Sequence, residues 1–337
     1  MALSHAFNHG RTTNTGSTVH RAPWWTGETV AVVTGANRGI GLALAARLAE
    51  RGLSVVLTAR DEARGEAAAA AIRDARPPGL GAVRFRRLDV ADPASVAAFA
   101  SWVRDELGGL DILRQACVIL NLIDHAQVNN AGVSFNEIDT NSVEHAETVL
   151  RTNFHGAKML TEALLPLFRR APTTSRILNI SSQLGLLNVI SALQKVPNVA
   201  GVHIHHKLKD PALRRMLLDE AALTERDIEG MVSRFLAEVG DGTWRGRGWP
   251  EVWTDYAVSK LALNAYSRLL AARLAGERVS VNCFCPGFTR TDMTRGFGKR
   301  TAEEAGRVAA GLALLPPRDL PTGKFFKWRT PQLYSKL

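Results

Sequence analysis

The sequence predicts an α/β fold, a doubly wound parallel sheet with helices on both faces and a helical insertion before Tyr256. Three observations carry that expectation. Short β-branched and apolar runs alternate with Ala/Leu-rich stretches of helical length from Thr29 onward. The first run opens directly onto a glycine-rich turn. Residues with chemistry to offer fall just past the ends of later runs, where ligands bind in open parallel sheets.

The 337 residues can bury one large core, so a single domain over 28–330 is expected, with an arm before it and a tail at 331–337. No apolar run exceeds strand length, which predicts no membrane span. Cys117, Cys283 and Cys285 make no disulfide framework, and no secretory signal is visible, so a reducing compartment is expected. Cys283 and Cys285 read as small core residues on opposite faces of a strand, not as a metal pair, and no metal is expected. The net charge of +10 comes from arginines interleaved with acids. That pattern describes solvated faces and predicts no nucleic-acid partner, while it suits a polyanionic cofactor.

Residues 1–27 are rich in Ser, Thr, Asn and Gly, carry no acid before Glu28, and read as a disordered arm. An acid-poor start of this kind also fits a transit peptide. The run 29–33 is a buried strand that leads into Thr34-Gly35-Ala36-Asn37-Arg38-Gly39-Ile40-Gly41 and a helix to about residue 51. Strand, glycine turn and helix together make a Rossmann dinucleotide fingerprint. Gly35 permits the tight turn, Gly39 lets backbone approach a pyrophosphate, and Gly41 allows close helix–strand packing. The anion then sits on the helix N-terminus. A second strand, 53–58, ends in Ala59-Arg60-Asp61. Arg60, with Arg38, suits the 2′-phosphate of NADP(H), and Asp61 argues the other way, for NAD. A third strand, 82–88, stops at Asp89-Val90, where Asp89 can accept from an adenine amine.

Tyr256 and Lys260 stand four apart near the start of a helix and so project from one face. A cation one turn from a phenol favours the phenolate and is expected to draw its pKa toward working pH, as general acid–base chemistry requires. Upstream, the strand 176–180 delivers Ser181-Ser182 at its C-terminal edge, and Asn153 interrupts a helix where it can hold a kink and a water. Trp244, Trp249 and Trp253 read either as an apolar wall at the mouth or as core.

Thr34 to Gly41, Asp89, Asn129-Asn130-Ala131-Gly132, Asn153, Ser181-Ser182, Tyr256/Lys260 and Pro286-Gly287 follow the order of motifs in the short-chain dehydrogenase/reductase family. The chain resembles that family over about 29–328, and within it the monomeric carbonyl reductases and the plant menthone and salutaridine reductases. The resemblance implies that Tyr256, Lys260, Ser182 and Asn153 are catalytic. It implies that Asn37, Ile40, Val90, Asn130, Pro286, Gly287 and Thr291 join the glycine turn in holding the cofactor. It also implies a monomer, because the insertion 208–253 covers the helices through which relatives oligomerise, and it makes the cytosol the expected compartment.

Two stretches depart from the family. Leu110-Asp111-Ile112-Leu113 is expected to run straight into Val128-Asn129 as one strand, but 114–127 intervenes, and a second break falls at 189–207. Both read as translated intron or splice-variant sequence, and the first is expected to loop out of a core strand. His203, His205 and His206 in the second stretch read as loop. The chain ends in Ser335-Lys336-Leu337, a peroxisomal address at an accessible C-terminus. The expected activity is NADPH-dependent reduction of a hydrophobic, menthone-like ketone, with an impaired NADP-binding variant or sensor as the alternative.

Overall fold

The first apolar run becomes strand β1 (Val30–Val33), buried throughout, which feeds α1 (Gly39–Glu50) through the glycine turn. The computed structural model describes residues 23–107, 125–135, 141–168, 174–187, 208–328 and 330–334. Next come β2 (Ser54–Ala59), α2 (Glu62–Asp74), β3 (Val83–Arg87) and α3 (Pro93–Glu106). The second half holds β4 (His125–Asn129), α4 (Val143–Leu150), α5 (Ala157–Leu164) and β5 (Ser175–Ile180). It continues with α6 (Pro211–Leu218), α7 (Glu225–Gly240), α8 (Thr254–Arg273), β6 (Val279–Cys285), α9 (Ala302–Ala313), β7 (Lys324–Lys327) and β8 (Thr330–Tyr334). One sheet runs β3-β2-β1-β4-β5-β6-β7-β8, parallel except for β8, which pairs antiparallel with β7. Chain order reverses between β1 and β4, so the ligand crevice of this doubly wound sheet opens beyond their C-terminal ends.

Helix starts follow local chemistry. Asp61, Asp92 ahead of Pro93, Ser142, Asp210, Thr224 and Thr301 each cap a helix with a side-chain oxygen. The start of α1 lacks such a cap, and its N-cap residue is Arg38. Its first N–H groups thus remain available for an anion.

Several expectations are corrected. The supposed arm is not wholly disordered, because Trp24 and Trp25 dock on the core. The Trp24 indole donates to Leu314 O at 3.1 Å, the Trp25 indole donates to Arg51 O at 3.0 Å, and the buried Arg176 guanidinium lies 3.4 Å over the Trp24 ring. The first insert ends earlier than expected. His125, Ala126 and Gln127 belong to β4 and pair with Val30, Ala31 and Val32. The central strand is therefore continuous, its opening residues supplied by what was read as insert. Gln127 is buried and half satisfied: its Nε2 donates to Asn129 Oδ1 (2.9 Å) and Thr161 Oγ1 (3.1 Å), while its Oε1 has no partner among the described residues.

Cys283 and Cys285 share one face, as residues two apart on a strand must, and pack with Leu186 and Phe325. Trp244 and Trp249 are core rather than mouth, packed with Phe235, Val239 and Leu261. The tail is strand as far as Tyr334. The insertion before Tyr256 forms two helices, α6 and α7, the second opened by a Thr224/Asp227 capping box; α7 packs against α4 and α8, and α6 packs against α7. Residues 1–22, 108–124 and 188–207, with the three histidines, Cys117 and the Ser335-Lys336-Leu337 terminus, lie outside the described residues. Among the described residues, no helix is long and apolar enough to cross a membrane, and no three metal-ligating side chains converge.

Candidate active site

The glycine turn is a cradle that tolerates no side chain at two positions. A Cβ on Gly35 would lie 2.9 Å from Ala131 Cα, and one on Gly41 would lie 2.4 Å from Asn130 Nδ2 and 2.5 Å from Gly35 O. Gly35 and Gly39 also adopt positive φ of 59° and 55°. The Thr34 hydroxyl accepts from the backbone N–H groups of Asn130 and Ala131, both at 2.9 Å. Asn130 Nδ2 returns hydrogen bonds to Thr34 O (3.0 Å) and Gly35 O (3.1 Å). The Asn130 side chain thus braces the turn from behind. Asn37 and Ile40 are half-buried on the same turn.

At the end of β2, Arg60 is exposed, while Asp61 is committed elsewhere. Its Oδ1 accepts from Arg64 N at 2.9 Å, and its Oδ2 lies 3.3 Å from Arg64 Nε. The acid that argued for NAD therefore caps α2. Asp89 forms a local turn, its Oδ1 accepting from Ala91 N at 3.0 Å, and Val90 is buried with its carbonyl against Gly156. On the opposite wall Pro286 and Gly287 (φ 74°) turn the chain out of β6. Thr291 comes so near the glycine turn that a Cβ on Gly39 would lie 3.5 Å from its methyl. Arg38 reaches across to Asp292, Nη1 to Oδ2 at 2.5 Å, an exposed pair that closes one side of the cleft.

Tyr256, Lys260 and Ser182 meet at the C-terminal edge of β5. The Tyr256 phenol and the Ser182 side chain lie side by side, close enough for the serine to favour the phenolate, and Ser182 Oγ accepts from Leu184 N at 3.1 Å. The buried Lys260 donates from Nζ to Ile180 O at 3.0 Å, with Nζ 5.5 Å from the Tyr256 ring centre. Burial pulls the Lys260 ammonium down to about 8, with smaller opposing contributions from Cys283 and Cys285. Burial likewise pushes the Tyr256 phenol up, Cys285 adds to the rise, and the Ser182 side chain opposes it. The expectation that Lys260 draws the phenol down is thus corrected: without a bound cofactor, desolvation wins and the phenol keeps its proton.

Asn153 sits in a π-helical turn, Arg151–Gly156, between α4 and α5. Its Oδ1 accepts from Val133 N (2.8 Å), and its Nδ2 donates to Val133 O (2.9 Å) and Ser259 Oγ (3.1 Å). A π-helical turn thus stands where the sequence suggested a kink, and the side chain makes these three contacts.

Sequence reasoning missed three aromatics at the ligand edge. Phe135 follows β4, while Phe288 and Phe297 follow β6, and all are exposed. The signal available was an aromatic within a few residues of a motif at a strand's end. Trp253, three residues before Tyr256, is half-buried with φ 48°, a left-handed conformation that costs a bulky residue about 1–2 kcal/mol. Its indole N–H is buried without a partner among the described residues.

Comparisons with known proteins identify the family. A family model described as short chain dehydrogenase matches residues 29–193, and one described as Enoyl-(Acyl carrier protein) reductase matches 244–313. The chain is 36% identical to (+)-neomenthol dehydrogenase of Arabidopsis thaliana, over 88% of this chain and 95% of that protein. It is 35% identical to carbonyl reductase [NADPH] 3 of Mus musculus, over 86% and 91% of the two chains. Among solved structures, salutaridine reductase from Papaver somniferum superposes with a TM-score of 0.72 at 30% identity, covering 89% of this chain and 99% of the other. The chain belongs to the short-chain dehydrogenase/reductase family, oxidoreductases that act on CH–OH and C=O groups with a nicotinamide cofactor.

Proposed function

We propose that the protein is an NADPH-dependent carbonyl reductase acting on a hydrophobic ketone, in the class of cyclic monoterpenoids. The observation that carries the proposal is the juxtaposition of Tyr256 and Ser182 at the edge of β5, with Lys260 buried behind it. The chain's residues fit the cofactor. The turn at Gly35 and Gly41 leaves no room for side chains, α1 begins without a side-chain cap, and the acid beside Arg60 is occupied. Arg38 and Arg60 would hold the 2′-phosphate, the α1 start the pyrophosphate, Asp89 the adenine amine, and Pro286, Gly287 and Thr291 the carboxamide.

Bound NADPH would supply the hydride. Tyr256, kept protonated by its surroundings, donates the proton to the carbonyl oxygen, and Ser182 hydrogen-bonds that oxygen as charge develops. Lys260 presents a positive charge behind the phenol and would turn from Ile180 O toward the nicotinamide ribose. Asn153 acts by shaping the helix beside Ser259 and Val133. Phe135, Phe288 and Phe297 offer apolar surface at the same edge, which favours an apolar substrate. The names of the relatives, a neomenthol dehydrogenase and an NADPH carbonyl reductase, support the same class.

The alternative of an impaired variant drew on a broken central strand. The pairing of His125–Asn129 with β1 and β5 favours the active reductase over that alternative. We also read the protein as a monomer, since α7 covers α4 and α8 and α6 packs on α7. Its placement in the cytosol or, through the terminal Ser-Lys-Leu, the peroxisome is open to imaging of an N-terminally tagged protein.

Tyr256→Phe tests the assignment. NADPH fluorescence titration should be nearly unchanged, while ketone-dependent loss of NADPH absorbance should fall by about 10²–10⁴. Turnover equal to wild type across a ketone panel would refute it.

A further inference from the structure

One face of α8 carries a polar stripe, Tyr256, Lys260, Asn264 and Ser267, at helical spacings of four, four and three residues. Every member faces β5 or the turn that follows it. Tyr256 lies beside Ser182, Lys260 donates to Ile180 O, and Ser267 Oγ accepts from Asn179 Nδ2 at 2.7 Å. Asn264, 3% exposed, makes two such bonds. Ser181 Oγ donates to its Oδ1 at 2.6 Å, and its Nδ2 donates to Gly185 O at 2.9 Å.

Those two partners flank Ser182 on either side, the residue before it and the carbonyl that ends its turn. The turn is otherwise held by its own bonds, Gly185 N to Ser182 O at 3.1 Å and Leu184 N to Ser182 Oγ at 3.1 Å. It presses on the helix so closely that a Cβ on Gly185 would lie 2.3 Å from Lys260 C. Asparagine is a poor helix former, so its place mid-helix calls for a reason. A primary amide provides one, because it accepts from the hydroxyl and donates to the carbonyl at once. A carboxylate would meet Gly185 O with like charge, and an apolar residue would orphan both groups.

We propose that Asn264 is a positioning residue for the reaction, clamping both ends of the turn so that the Ser182 hydroxyl is fixed against Tyr256. The inference rests on the reading of Ser182 and Tyr256 as the reacting pair and adds a residue that acts through Ser182 alone. The test is a double-mutant cycle of Asn264→Ala and Ser182→Ala in the full chain, scored by ketone reduction with NADPH and by NADPH titration.

Asn264→Ala should lower kcat about tenfold with the NADPH dissociation constant held within about twofold. In the Ser182→Ala background the same change should cost less than about twofold, because its target is gone. Ser181→Ala, which keeps the Gly185 bond, should give an intermediate loss, and it runs the same cycle if the Asn264 variant does not fold. An undiminished loss in the Ser182→Ala background would overturn the clamp while leaving Ser182 its role. Wild-type activity of Ser182→Ala would overturn the reading of Ser182 and the clamp with it.

Discussion

Burial of Lys260 makes the protein's stability depend on pH in a direction that can be worked out. The ammonium is 4% exposed and drawn from an ordinary 10.5 to about 8 by desolvation. Between those values the unfolded chain holds the proton and the folded chain releases it. Stability therefore rises with pH across that window, and the charged form below about 8 carries the full penalty. Applying the linkage relation to these two values, the lysine's contribution improves by about 2 kcal/mol between about pH 7 and about pH 9.5. Lys260→Met has no such proton. Its constant effects, including the loss of the bond to Ile180 O, cancel when wild type and variant are compared at the two pH values. The assay is urea unfolding of the cofactor-free proteins, followed by the fluorescence of the seven tryptophans. Wild type should gain on the variant by about 2 kcal/mol over that interval. A difference that stays flat, or moves the other way, would refute the account of a desolvated ammonium.

Other consequences are open to direct measurement. Arg60→Ala should weaken NADPH about tenfold and leave NADH unchanged, since an exposed charge-assisted bond is worth about 1–2 kcal/mol. Asp292→Asn frees Arg38 from its exposed ion pair and should tighten NADPH by up to about fivefold, again with NADH unaffected; weaker NADPH binding would contradict the competition. Gly185→Ala places a Cβ against backbone atoms of Lys260 and Leu261, so both activity and midpoint denaturant concentration should fall, by about 1–3 kcal/mol in stability. Trp24→Ala removes the indole bond to Leu314 O and the ring under Arg176, and a loss of about 2 kcal/mol is expected in urea titration; no change would mean that the segment is dispensable.

Most of the sheet was legible because β-branched runs and capping residues act locally. Asp92-Pro93 and the Thr224/Asp227 box begin helices where their chemistry says they should. The site motifs were legible for a related reason: Gly35 and Gly41 stand where no other side chain fits. What could not be read depends on partners distant in the chain. Gln127 looked like insert because nothing in its neighbourhood of the sequence shows that Thr161 awaits its amide. Trp24 looked like part of a disordered arm because Arg176 and Leu314 are far along the chain. The phenol pKa was misjudged because sequence spacing reports the nearby cation and not the loss of water around the ring. Trp244 and Trp249 were assigned to the mouth or the core with no means of choosing. Burial beside Phe235 decides for the core, and leaves Trp253 alone of the three only half-buried.

The continuity of β4 has a practical corollary. β4 begins at His125, at the N-terminal pole of the sheet away from Tyr256 and Ser182, and pairs with β1 and β5 from its first residues. The start of this strand is a natural port for a reporter domain or affinity handle, on the far side of the sheet from the reacting groups. A graft at the break after Leu187 would instead emerge beside the Ser182–Gly185 turn and crowd the reacting groups.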